Sequence, residues 1–127
     1  MKPMKTSTKS HSKLPTVHEE QKGLLHWWRH KFPRVLIFAI PNGEKRSISV
    51  AKRLKAEGVT PGIPDLHVPE WNLWIEMKRR KGGRVSKEQR EIIRYLRSIG
   101  QTVIIGQGAE DASKQILEFV QKRFDAD

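Results

Sequence analysis

The stretch Pro64–Lys78, PDLHVPEWNLWIEMK, restricts the fold more than any other part of the chain. Leu66–Val68 and Leu73–Lys78 read as two strands, and Pro69-Glu70-Trp71-Asn72 between them supplies the proline and asparagine of a tight turn. An antiparallel hairpin that sets Val68 opposite Leu73 also sets Asp65 opposite Glu76. Directly paired residues have Cβ atoms roughly 4.5–5.5 Å apart. Two carboxylates at that separation repel each other unless something cationic lies between them, and a divalent cation meets that need. Side chains alternate along a strand, so Glu76 and Lys78 share a face while Met77 points away. Leu73-Trp74-Ile75 is apolar enough for an interior strand, where an acid pair requires an ion or hydrogen bonds. As a bare pattern, P-D followed by E-x-K also occurs on solvated sheet faces, so the rest of the chain has to supply the context.

Upstream, Thr16-Val17-His18-Glu19 has the form of a capping box that opens a helix, which gives Glu19 a structural task. Leu24, Leu25 and Trp28 form its apolar stripe, with Trp27 beside it, and Pro33 ends it. Glu20 and Gln21 border that stripe one turn earlier, and spacing leaves open which of them faces a site on the sheet. His26 and His30 are four apart, but without a third ligand they read as surface residues. Val35–Ile40 is a continuous apolar run expected to be a strand covered on both faces. Glu44-Lys45-Arg46-Ser47 follows as a polar loop; Lys45 and Arg46 could grip phosphate there, or the segment is a plain turn. Ser47 caps an expected short helix to Glu57 that turns Ile48, Ala51 and either Leu54 or the Lys55 stem inward and stops at Gly58. Thr60-Pro61-Gly62-Ile63-Pro64 is a stiff lead into Asp65.

Beyond Lys78, the run Arg79-Arg80-Lys81-Gly82-Gly83-Arg84 reads as a basic loop suited to a phosphodiester backbone. Ser86-Lys87-Glu88-Gln89 is a second capping box. It opens a helix whose apolar face, Ile92, Ile93, Leu96 and Ile99, also carries Gln89 at its open end. Gly100 ends that helix, Thr102–Ile105 is a buried strand, and a helix from about Ala109 to Phe124 buries Ala112, Ile116, Phe119 and Val120. The expected fold is α/β, a mixed sheet with helices on both faces and one extra short helix between the first two strands. The Glu76 strand, the Ser86 helix and the Val103 strand form a right-handed βαβ crossover if the two strands are parallel.

The 127 residues suit one domain, residues 16–127, behind a basic tail, residues 1–15, expected to be disordered because it holds four lysines and no acid. Cysteine is absent, which excludes disulfides and cysteine-ligated zinc and fits a reducing cytosol. No apolar run is long enough to span a membrane, and the N-terminus lacks the apolar core of a secretory signal. The formal net charge of +11 points to a polyanionic partner, nucleic acid ahead of a membrane surface. A catalytically inert DNA-binding module would explain that charge equally well, but it leaves Asp65 facing Glu76 without a reason.

In order and motif the chain resembles the PD-(D/E)XK nucleases, with their restriction-endonuclease-like αβββαβ core, and within them the virus-type replication-repair nuclease (VRR-NUC) domain. The resembling pieces are Glu19-Glu20-Gln21, Pro41–Ser47, Gly58–Leu66, Ile75–Lys78 and Gly83–Gln89, which together span nearly everything after the tail. The resemblance implies Mg2+- or Mn2+-dependent phosphodiester hydrolysis. It implies Glu20, Asp65, Glu76 and the Met77 carbonyl as metal ligands, with Gln21 as the alternative on the first helix. Lys78 would position or help deprotonate water and stabilise charge on the phosphate, and Gln89 would orient water or a ligand. Lys45, Arg46, Arg79, Arg80, Lys81 and Arg84 are the expected DNA contacts. Stand-alone copies of this domain belong to phages and bacteria, so the expected protein is a cytoplasmic homodimer that resolves Holliday junctions in DNA repair. A flap- or nick-directed nuclease is the alternative, and no small-molecule cofactor is expected.

Overall fold

The structure, a computed structural model, describes residues 13–41 and 46–125. Most of the expected basic tail, together with Lys45 and its neighbours Asn42, Gly43 and Glu44, lies outside the described residues.

Helix α1 (Val17–Lys31) opens on the expected capping box: the Thr16 hydroxyl accepts from the Glu19 amide at 3.1 Å, and Glu19 accepts from the Thr16 amide at 2.8 Å. Strand β1 (Phe38–Ala39) follows, then helix α2 (Ile48–Ala56) and strand β2 (Leu66–Val68). A 3-10 turn (Pro69–Trp71) leads into strand β3 (Leu73–Lys78). The turn closes through Asn72 in the left-handed region, φ 50°, which asparagine tolerates. Helix α3 (Lys87–Ser98), strand β4 (Thr102–Gln107) and helix α4 (Ala109–Asp125) complete the chain.

The sheet runs β1-β2-β3-β4, antiparallel except for the parallel β3–β4 pair across the α3 crossover. The hairpin register pairs Val68 with Leu73 and Leu66 with Ile75, as the sequence predicts. One sheet face carries Leu66, Val68, Leu73, Ile75, Met77 and Ile104 and packs on Leu24 and Trp28 of α1 and on Ala112 and Ile116 of α4. The other face is covered by α3 through Ile93 and Leu96, packed on Val103, Ile105 and Trp74. Helices therefore lie on both faces, but α3 sits over the β4 side of its face.

Several expectations need correction. Val35–Ile40 is not a strand buried on both sides: only Phe38 and Ala39 pair, at the sheet edge. Val35 and Ile37 pack on the α1–α4 core, while Leu36 is 63% and Phe38 42% exposed. Helix α2 keeps its Ser47 cap, yet none of its residues is buried and Ile48 is 77% exposed. Its apolar positions do not reach the core because α2 lies outside the layered packing. Trp71, in the turn between β2 and β3, is core: it meets Trp28, Phe32 and Phe119 in one aromatic cluster. Ile99, expected on the apolar face of α3, follows the helix as its C-cap and is exposed.

Candidate metal and phosphodiester site

The site grows from the open ends of β2 and β3. The β2–β3 register places Asp65 across from Glu76, and the Met77 amide donates to Asp65 Oδ2 at 2.8 Å. Two glycines let the neighbouring segments close in. Gly62 has φ +90°, and a Cβ there would lie 2.6 Å from the Glu88 carbonyl oxygen. The loop before Asp65 is thus pressed against the first turn of α3. A Cβ on Gly83 would lie 2.9 Å from Lys78 Cβ, so the basic loop folds back over Lys78.

Helix α3 contributes Gln89 from its first turn. The Gln89 amide donates to the Ser86 hydroxyl, and Gln89 Oε1 accepts from the Ser86 amide at 2.9 Å, completing the capping box. The same Oε1 accepts from Lys78 Nζ at 2.7 Å, and Gln89 Nε2 donates to Glu76 Oε2 at 3.0 Å. Lys78 Nζ stands 3.3 Å from that carboxylate oxygen. One side chain therefore caps its helix and ties Glu76 to Lys78.

Glu76 is 2% exposed, and its Oε1 has no hydrogen-bond partner among the described residues. Burial, then the adjacent Asp65, pushes its carboxyl up to about 7, although Lys78 pulls it down. Burial likewise raises Asp65, against the Met77 amide and Lys78, which lower it. His18, in the first turn of α1, is also close enough to act on the Asp65 carboxyl electrostatically. Sequence reasoning passed over His18 as a filler inside the capping box. The available signal was its spacing from Gln21, three residues on and so on the same side of the helix.

Glu20 points inward, 3% exposed, on the stripe that continues through Leu24 and Trp28. Its oxygens are taken, however. Oε1 accepts from the Ala109 amide at 3.0 Å, and Oε2 accepts from Arg80 Nε at 2.6 Å. Burial alone would raise its carboxyl, but the Ala109 amide and Arg80 outweigh burial and hold it below the usual carboxylate range. Among the described residues no group of three or more His, Cys, Asp or Glu side chains converges to hold a metal. The expected grouping of Glu20 with Asp65 and Glu76 is thus not what the structure shows. Gln21 is half-buried. Arg80, expected on DNA, is instead the partner of Glu20, while Arg46, Arg79, Lys81 and Arg84 are exposed. His26 and His30 are exposed, as expected, with His30 Nδ1 2.9 Å from the His26 carbonyl.

Fold and site together define an α/β protein with an αβββαβ core and an acid–acid–lysine cluster where its two central strands open. A solved structure described as "VRR_NUC domain protein" superposes with a TM-score of 0.70 over 86% of this chain and 91% of that chain, at 22% identity. The chain has a VRR-NUC-like fold. No family model matches the sequence, and no curated protein matches it.

Proposed function

We propose that the chain is a divalent-metal-dependent endonuclease that hydrolyses phosphodiester bonds in DNA. The observation that carries this reading is the buried Oε1 of Glu76, without a donor among the described residues, beside Asp65 and flanked by Lys78 and Gln89. A buried carboxylate oxygen without a partner is costly, and a hard cation relieves that cost. Asp65, Glu76 and the Met77 carbonyl would hold Mg2+ or Mn2+, which favour such all-oxygen sets. The Met77 amide leaves β3 on the β2 side, toward Asp65, whereas the Lys78 carbonyl leaves on the β4 side and accepts from the Gly108 amide. Amide and carbonyl of one extended residue leave on the same side, so the Met77 carbonyl also emerges beside Asp65. The bound ion would supply Lewis-acid polarisation of a phosphoryl oxygen and a bound water of lowered pKa.

The chain's own groups do the rest. Lys78 Nζ, held by Gln89 Oε1 and partly exposed, has protons left to donate to a non-bridging phosphate oxygen as charge builds there. Gln89 Nε2 fixes one Glu76 oxygen and leaves the other free. Gln21 shares the His18 side of α1, which is the side that acts on Asp65. Gln21 is therefore the better helix-one contributor to this site, with Glu20 committed to Arg80.

Exposed Arg46, Arg79, Lys81 and Arg84 and the net charge of +11 support a DNA substrate. We take the substrate to be branched, with a four-way junction as the best case; symmetric cutting then needs a two-fold homodimer, because one small domain carries one site. The test is incubation with four-way, flap, nicked and linear DNAs, with and without Mg2+ or Mn2+, alongside a light-scattering mass. Asp65→Ala and Glu76→Ala should bind DNA but not cut it. Cleavage by either variant at a near-unaltered rate would remove the assignment.

A further inference from the structure

The face of the sheet that carries Asp65, Glu76 and Lys78 continues into a row of rings. Trp74 lies two residues before Glu76 on β3, and His67 two residues after Asp65 on β2, so both share the face of the acids. His67 stacks on Trp74 with ring centroids 3.8 Å apart and planes 23° from parallel. Phe38 of β1 pairs with His67 in register and meets its ring edge-on at 5.6 Å. The row is anchored at its inner end, where Trp74 Nε1 donates to Gln101 Oε1 and packs beneath α3. His67 is held as well: its Nδ1 lies 3.1 Å from the Leu73 carbonyl, which fixes that nitrogen as the donor. The outer end is open, because α3 packs over β4, leaving Phe38 at the edge strand 42% exposed.

We propose that the Phe38 ring, braced edge-on by His67, is a stacking platform for an unpaired nucleobase of the substrate, one nucleotide away from the phosphate held at Asp65 and Glu76. The inference rests on the nuclease reading and specifies a feature of its substrate. Two residues of strand rise about 7 Å, the distance by which successive phosphates of an extended strand are separated, so base and phosphate can occupy the two sites together. The platform is continuous with the carboxylate row, not a detached apolar patch. Charge at the other end of the row suits a polyanion: the Arg46 guanidinium is pinned by the Pro41 carbonyl at 2.6 Å, past the end of β1 where Ile40 pairs with Asp65. Aromatic faces accept any base, and the stacked, hydrogen-bonded His67–Trp74 pair gives the platform a fixed orientation before the base arrives.

The test compares binding of a fluorescent single-stranded thymidine oligomer and an abasic oligomer of equal length and charge to the unaltered protein in Ca2+ without Mg2+. The thymidine oligomer should bind about tenfold more tightly. Phe38→Ala should erase that difference while leaving abasic binding and the thermal midpoint unchanged, and Phe38→Trp should restore it. Equal binding of both oligomers by the unaltered protein would overturn the platform but not the nuclease reading, and failure to bind any DNA would overturn both. A Phe38→Ala variant that keeps the base preference, or that changes only the mass of the particle in solution, would assign the ring to something other than a base.

Discussion

Gln89 Nε2 donates to Glu76 Oε2 at 3.0 Å while Gln89 Oε1 accepts from both Lys78 Nζ and the Ser86 amide. Helix capping and site assembly are thereby a single event. The first turn of α3 cannot form its reciprocal cap without presenting the amide to the acid and the lysine. Replacing Gln89 by Glu keeps a cap acceptor of nearly the same length but exchanges the donor to Glu76 for a negative charge. Gln89→Glu should retain the helical circular dichroism of the unaltered protein and lose cleavage about 100-fold or more, in the range seen when one preorganised polar group is removed from a transition state. Gln89→Ala should lose cleavage to a similar extent and keep the helix, with stability lowered by about 1 kcal/mol for the lost reciprocal bond to the Ser86 amide. Unchanged cleavage by Gln89→Glu would confine the residue to capping.

Gly62 couples the loop before Asp65 to the same helix turn. Its φ of +90° and the 2.6 Å approach to the Glu88 carbonyl leave no room for a side chain. Gly62→Ala should cost about 1 kcal/mol or more in urea unfolding and should reduce cleavage beyond what stability explains, because it displaces Asp65. A misplacement of about 1 Å can cost about 100-fold in rate. Gly58, also at positive φ but with nothing near its Cβ position, is the control: Gly58→Asn should leave cleavage intact.

Glu20 and Arg80 join α1 to the segment just past Lys78, and Glu20 also receives the first amide of α4. Arg80 is half exposed, so water screens part of the pair and its worth falls below that of a fully buried one. Glu20→Ala should destabilise by about 1–3 kcal/mol. Because the Glu20 carboxyl is held below its ordinary value, that contribution is present above pH 4.5 and fades as the pH falls through the lowered pKa. If Glu20 acts only as this clamp, Glu20→Gln should keep the rise in melting temperature that Mn2+ gives the unaltered protein. Loss of that rise would return Glu20 to the metal.

Local signals made much of this structure legible in the sequence. The hairpin register followed from Pro69–Asn72 and two short apolar runs, and both capping boxes form as their spacing requires. What stayed hidden depends on long-range packing. Val35–Ile40 has the composition of a central strand, and nothing within it states that the sheet ends there. Helix α2 shows an apolar periodicity although no layer lies against it. Glu20 and Arg80 are 60 positions apart, so neither residue's surroundings in sequence announce the other. Lys78 and Gln89 could each be placed near the acids, but their mutual bond required the depth at which α3 settles, which Gly62 helps set.

The Glu76 carboxyl gives the site a pH signature that can be read without any substrate. Burial and Asp65 push it up to about 7 from 4.5. A carboxyl whose folded pKa exceeds its unfolded one favours the folded state while protonated. Its contribution is therefore complete below pH 4.5 and is lost as the pH rises through about 7. Each pKa unit is about 1.4 kcal/mol, so the cation-free protein should lose a few kcal/mol over that interval, on the order of a several-degree fall in melting temperature. Glu76→Gln, which stays neutral, should flatten the slope and melt higher than the unaltered protein at pH 8 in EDTA. A divalent cation reverses the order, because it favours the ionised pair that protons otherwise neutralise. Mn2+ should raise the melting temperature of the unaltered protein far more at pH 8 than at pH 5, and should not raise that of Glu76→Gln. Calorimetry showing the same pH slope in both proteins, or the same Mn2+ shift at both pH values, would place the ionisation elsewhere and remove Glu76 as the anchor of the site.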